Sequence, residues 1–190
     1  MTATTALLSL EEYLLHDDGT DNRYELVDGK LLVIPPESDR HNLIALYLLA
    51  EFLKLIPIRL IRHKDTEIVV TGNRTRVRMP DLLVLTEEIV TAIGGERATI
   101  TSDMPSPTLA VEVVSPGKTN RDRDYRYKRS EYAARGILEY WIVDPEFERV
   151  TVLSLVDGLY EEAVFEGDRA ISSTILEQLS LTAEQIFSFE

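Results

Sequence analysis

The stretch that most narrows the choice of fold is PTLAVEVVSP, residues 107–116. It is a strand in which Leu109, Val111 and Val113 point to one side, and Thr108, Ala110, Glu112 and Val114 point to the other. Both sides ask to be covered, so this strand belongs inside a sheet with other layers packed on its two faces. Glu112 is thereby drawn out of water. Burying a lone carboxylate costs several kcal/mol or forces it to take up a proton, unless a cation or a set of donors compensates.

A chain of 190 residues with 44% hydrophobic content can bury a sizeable core, and one domain over residues 1–190 is expected. No apolar run approaches the length of a membrane span, and the start, MTATTALLSLEEY, lacks the basic and apolar segments of a signal peptide, which predicts a cytoplasmic address. The absence of cysteine removes disulfides, thiolate metal sites and a cysteine nucleophile. With histidine only at positions 16, 41 and 63, an oxygen-ligand site for a hard cation such as Mg²⁺ is more accessible than a histidine-rich zinc site.

The formal net charge of −13 argues against a broad nucleic-acid surface. Two stretches run the other way: Arg74, Arg76 and Arg78, and then Lys118, Arg121, Arg123, Arg126, Lys128 and Arg129. They either attract a phosphate to one mouth or form a solvated, charge-paired helix face.

Ser9 with Glu12 resembles a capping box and predicts a short helix over residues 10–16. RYELVDGKLLVI reads as a hairpin turning at Asp28-Gly29, and RVTVLSLVDGLYEEAVF as a second one near the C-terminus. Leu43, Ile44, Tyr47, Leu48, Phe52 and Leu55 recur at helical spacing from His41 until Pro57 breaks the pattern. Strands are predicted at 66–71 and 76–85, followed by a loop over 86–106. After the Glu112 strand, a helix capped by Thr119 or Asn120 runs to Arg135 with Gly136 as its left-handed stop. A buried strand follows in ILEYWIVDP, and a short helix in LTAEQIF. This order predicts an α/β fold with a mixed sheet flanked by helices and with N- and C-terminal β-hairpins.

RVRMPDLLVL alternates arginine with apolar residues up to Pro80 and is continuously apolar after Asp81, so Asp81 stands where a strand enters the core. Beside the Glu112 strand, it would bring two carboxylates together, and a divalent cation between them relieves their repulsion. The other reading is a turn aspartate plus a glutamate paired with an arginine. Asp124, Lys128 and Tyr132 share one face of the following helix, so Lys128 either reaches the two acids or forms a simple Asp–Lys pair on that helix.

In their order, YELVDGKL, MPDLLVL, LAVEVVSP, DYRYKRSEY and ARGILEYWIVDP resemble the Uma-two-type proteins, abundant in cyanobacteria and regarded as endonucleases of the PD-(D/E)XK superfamily. The resemblance runs from about Glu11 to Phe187. It implies a restriction-endonuclease-like fold, Mg²⁺-dependent cleavage of DNA with Mn²⁺ as substitute, and Asp81, Glu112 and the carbonyl of Val113 as metal ligands. The superfamily's lysine would fall on Val114; the resemblance implies that Lys128 on the next helix replaces it. Glu25 matches a further acidic position, which the resemblance implies helps to ligate metal or orient water, with a hairpin salt bridge as its alternative role, and His41 matches a position that is either functional or structural. A catalytically silent relative that binds nucleic acid or a protein partner is the competing expectation. The apolar edge hairpins make a homodimer a reasonable assembly.

Overall fold

A computed structural model of the chain describes residues 7–70, 76–95 and 97–189. Arg74 of the first basic stretch and Thr71 at the end of the strand predicted at 66–71 lie outside the described residues. The elements are α1 (Leu10–Leu14), β1 (Tyr24–Val27), β2 (Lys30–Val33), α2 (Asp39–Phe52), β3 (Ile61–His63), β4 (Glu67–Val70), β5 (Arg76–Arg78), β6 (Leu82–Val84), α3 (Glu87–Ile93), β7 (Thr99–Ile100), β8 (Leu109–Val113), α4 (Lys118–Asp122), a π-helical turn (Arg123–Lys128), α5 (Arg129–Arg135), β9 (Glu139–Asp144), β10 (Arg149–Val156), β11 (Leu159–Glu166) and α6 (Ala183–Ser188).

Both hairpins form as expected, and the reason is backbone chemistry. Asp28 and Gly29 take φ of 53° and 82°, and Asp157 and Gly158 take 49° and 82°. That pair of positive φ values twists a two-residue turn in the same sense as its strands. Ser9 caps α1 in a reciprocal box with Glu12.

The strands make two mixed sheets, a five-stranded one in the order β2-β1-β5-β4-β7 and a six-stranded one in the order β11-β10-β9-β8-β6-β3. β8 runs antiparallel to β6 and parallel to β9, and every residue of β8 and β9 is buried. The alternation in β8 divides the core as the sequence implies. Val111 packs with Ile44 and Leu48 of α2 and Ile186 of α6, while Ala110 packs with Ile89 of α3 and Tyr132 of α5 on the opposite face. Phe52 meets Trp141 edge to face at 5.5 Å, fixing α2 over the middle of the six-stranded sheet.

Three expectations need correction. The segment 76–85 is not one strand: β5 belongs to the five-stranded sheet and β6 to the six-stranded sheet. Pro80, which has no N–H to give a ladder, stands at the crossing. The segment 86–106 is not an irregular loop, because it contains α3 and β7. Thr86 caps α3 by accepting from the Ile89 amide, Gly94 stops it at φ 59°, and β7 then adds in parallel to β4. The helix after β8 has neither Thr119 nor Asn120 as its cap: it begins after Gly117 without a side-chain cap, changes to π geometry over Arg123–Lys128, and ends at Gly136, φ 84°.

Candidate active site

The passage from one sheet to the other places Asp81 at their junction. Its backbone amide donates to the Val111 carbonyl (3.1 Å) and its carbonyl accepts from the Lys64 amide (3.0 Å), so its position is set by backbone bonds alone. Its carboxylate, 5% exposed overall as a residue, accepts from the Val113 amide at Oδ2 (2.8 Å) and pairs at Oδ1 with His41 Nε2 (3.0 Å). Although burial opposes it, the His41 hydrogen bond and charge and the Val113 amide hold Asp81 below the usual aspartate range.

Glu112 projects from β8 toward the π turn. Lys128 Nζ lies 2.7 Å from its Oε2, and the Tyr132 hydroxyl donates to its Oε1 at 2.6 Å. This is the compensation that a buried glutamate demands, but it is incomplete. Burial, together with the charges of Asp124 and Asp81, raises Glu112 to about 7 despite the lysine. Lys128 is held above the ordinary lysine value: burial opposes this, and Glu112, Asp124 and Glu25 outweigh it.

Glu25 reaches the same place from β1. It is 3.9 Å from Lys128 Nζ and accepts from Arg78 Nη1 at 2.8 Å. Its arginine partner belongs to the neighbouring strand β5 rather than to its own hairpin. Arg78 also donates to both oxygens of Glu131 on α5 (2.7 and 3.0 Å), and the Arg76 guanidinium bonds Glu131 and Asp28. A buried network of alternating charge thus joins the two sheets through the helix.

Asp81, Glu112, Val113, Lys128, Glu25 and His41 all line one cavity of about 480 Å³, whose lining also includes Leu31 to Pro36. The sequence-derived candidates are therefore gathered at one place. Two other members of the cluster were not among those candidates. Glu37 approaches His41 Nε2 to 3.4 Å, and Lys64 bonds both Glu37 and Asn42. The only hint is that Glu37 and His41 stand four apart across the helix cap Ser38.

The donor set fits a hard divalent cation. Asp81 and Glu112 bring carboxylate oxygens to one cavity, beside the imidazole of His41 and the carboxylate of Glu37. Val113 shows its amide on Asp81.

Two mixed sheets flanked by helices, with this cluster at their junction, define an α/β protein whose fold matches that of a solved structure. A crystal structure of "a putative nuclease belonging to DUF820" from Anabaena variabilis matches with a TM-score of 0.71 over 96% of this chain and 98% of that one, at 20% identity. The chain belongs to the Uma2 family, described as "Putative restriction endonuclease", whose model matches residues 10–184. It is also similar to the uncharacterized protein sll1609 of Synechocystis sp., 25% identical over an alignment of 154 residues that covers 78% of this chain and 81% of that protein.

Proposed function

We propose that this chain is a Mg²⁺-dependent endonuclease that hydrolyses DNA phosphodiester bonds, with Mn²⁺ able to substitute. The observation that carries the reading is the convergence of Asp81, Glu112 and Lys128 on one cavity. Asp81, Glu112 and the carbonyl of Val113 would hold the cation, which when bound supplies a Lewis acid and lowers the pKa of water. Lys128, anchored on Glu112, offers N–H donors to the attacking water and screens negative charge as it grows on the phosphate. Glu25 acts on Lys128 by charge and keeps Arg78 in place, so its part is to orient the lysine. DNA as the substrate rests on the family description.

The test is incubation of supercoiled and single-stranded DNA with the protein in Mg²⁺ or Mn²⁺. Cleavage that EDTA abolishes, and that Asp81→Asn, Glu112→Gln and Lys128→Met each lower by about a hundredfold or more, is expected. A folded wild type inactive in both metals on both substrates overturns the reading. One observation favours a second one, a silent nuclease-like module that binds nucleic acid or a protein partner: both oxygens of Glu112 are already bonded, to Lys128 and Tyr132. Binding of DNA without turnover would select it. We further propose that the protein acts in the cytoplasm as one domain and pairs as a homodimer through its edge hairpins, where Leu32, Val33 and Leu159 are exposed; sedimentation velocity tests the pairing.

A further inference from the structure

We propose that a second hollow, beside the cluster, seats an unpaired nucleobase, so that the strand taken up is single-stranded or frayed DNA rather than intact duplex. The inference rests on the nuclease reading for the place of the phosphate. Val114 and Pro116 after β8, Pro145 and Glu146 after β9, and Arg40 in the first turn of α2 line this hollow, a cavity of about 280 Å³. β8 and β9 are parallel neighbours, so their carboxyl ends open on one side of the sheet, where α/β proteins take their ligands. Ser38, His41, Ser115 and Pro116 line both this hollow and the cavity of Asp81 and Glu112, so the two adjoin. From Val113 in the cavity to Ser115 in the hollow is at most about 7 Å of chain, within reach of one extended nucleotide. A phosphate at the cluster therefore brings a neighbouring base to the hollow.

The walls suit a base and not a second phosphate. Val114, Pro116 and Pro145 supply apolar surface. The charges around them are paired off: Arg121 with Glu146 at 2.6 Å and with Asp144 at 3.4 Å, and Arg40 with Glu148 at 3.3 Å. A phosphate would compete with a carboxylate for each arginine, whereas a flat, neutral ring gains by leaving water. The rim is held in shape by its own bonds. The Val114 amide donates to the Val143 carbonyl (2.8 Å), the Glu146 amide donates to Asp144 Oδ1 (3.1 Å), and the Arg121 guanidinium lies 4.5 Å from the centroid of the Phe147 ring. Arg40 is the adjustable part. Its side chain is 50% exposed and that of Glu148 is 69% exposed, a pair that opens at little cost and frees a guanidinium plane to lie on a seated base.

A base in a duplex reaches such a hollow only by giving up its stacking and pairing, while an unpaired base has little to give up. The charge balance points the same way. With a net charge of −13, and with Arg40 and Arg121 held by acids, little is gained by releasing counterions from a duplex. Stacking and apolar contact with single bases then carry the affinity.

Fluorescence anisotropy in Ca²⁺, with a labelled DNA single strand, the duplex of the same sequence and the same strand made abasic, tests this. The single strand should bind about tenfold or more tighter than the duplex, and removing its bases should cost about as much. Arg40 and Pro145 line the hollow and not the cavity of Asp81 and Glu112. Pro145→Trp, which fills the hollow, and Arg40→Gln, which removes the guanidinium, should each weaken single-strand binding about tenfold and leave duplex binding unchanged. Circular dichroism establishes that each variant is folded; if Pro145→Trp is not, Arg40→Gln carries the test. Equal affinity for single strand and duplex, no loss on removing the bases, or wild-type single-strand binding in either folded variant overturns the hollow. Binding of single strands through the hollow by a protein that cleaves nothing keeps this inference and removes only the nuclease reading. Metal-dependent cleavage that is indifferent to strandedness and to both variants keeps the nuclease reading and removes the hollow.

Discussion

The side chain of Lys128 is 3% exposed and that of Glu112 is 5% exposed, so neither charge has water to fall back on. Removing one partner of such a pair strands the other, at a cost of about 3–5 kcal/mol. Lys128→Met should therefore destabilise the fold by that amount in urea unfolding, and adding Glu112→Gln should recover part of the loss, since a neutral amide can still accept from Tyr132. A loss under about 1 kcal/mol for the single variant would show that the lysine is not what compensates the glutamate. Glu112 and Lys128 were legible because strand alternation marks a buried acid and a spacing of four sets Asp124, Lys128 and Tyr132 together. Lys64 was not, because it reaches the cluster through a tertiary path that leaves no period in the chain, and Glu37 left only its spacing of four from His41. Nothing local to Lys64 says that it will meet a residue 27 positions earlier.

Between elements, the counterpart is Glu67, which ties β4 to α1 and β7. It accepts from the Tyr13 hydroxyl, the Thr99 hydroxyl and, at 2.9 and 2.8 Å, the Arg97 guanidinium. Burial opposes ionisation here, but the bonds from Arg97, Thr99 and Tyr13 win and hold Glu67 below the ordinary 4.5. A depressed carboxylate gives stability that is present above its unfolded value and is lost as pH falls through its folded value. Glu67→Gln should thus cost about 1–3 kcal/mol at neutral pH and flatten the loss of stability with acid below about pH 4.5. Equal acid slopes for wild type and variant, measured by urea unfolding from pH 6 to 3, would contradict this. The hairpins were readable at this scale because Asp-Gly demands positive φ. The seven residues of α3 give too few helical repeats to compete with the glycines around them. The break between β5 and β6 was half visible: the change of pattern at Asp81 marked a boundary, but only the pairing partners show that it separates two sheets.

The net charge of −13 is not relieved at the second basic stretch. Arg121, Arg123, Arg126 and Arg129 each stand within salt-bridge distance of an acid of the chain. Few cations are then free to displace counterions from DNA. The slope of log affinity against log salt, taken by fluorescence anisotropy between 50 and 200 mM salt, should be shallower than about −4, where six to ten phosphate contacts give roughly −5 to −9. A steeper slope would mean that the ion pairs open on binding. The junction between the sheets has a consequence for how the chain acquires its site. Asp81 is bonded to residues 40 positions earlier and 32 later, and Glu25 to one 53 later. Closing such loops costs entropy that no local contact repays, so these bonds form late. During synthesis the cluster cannot close until Lys128 and Tyr132 have emerged. An incomplete chain therefore presents scattered carboxylates rather than the assembled cluster, and only a molecule grown past that helix can hold these side chains together.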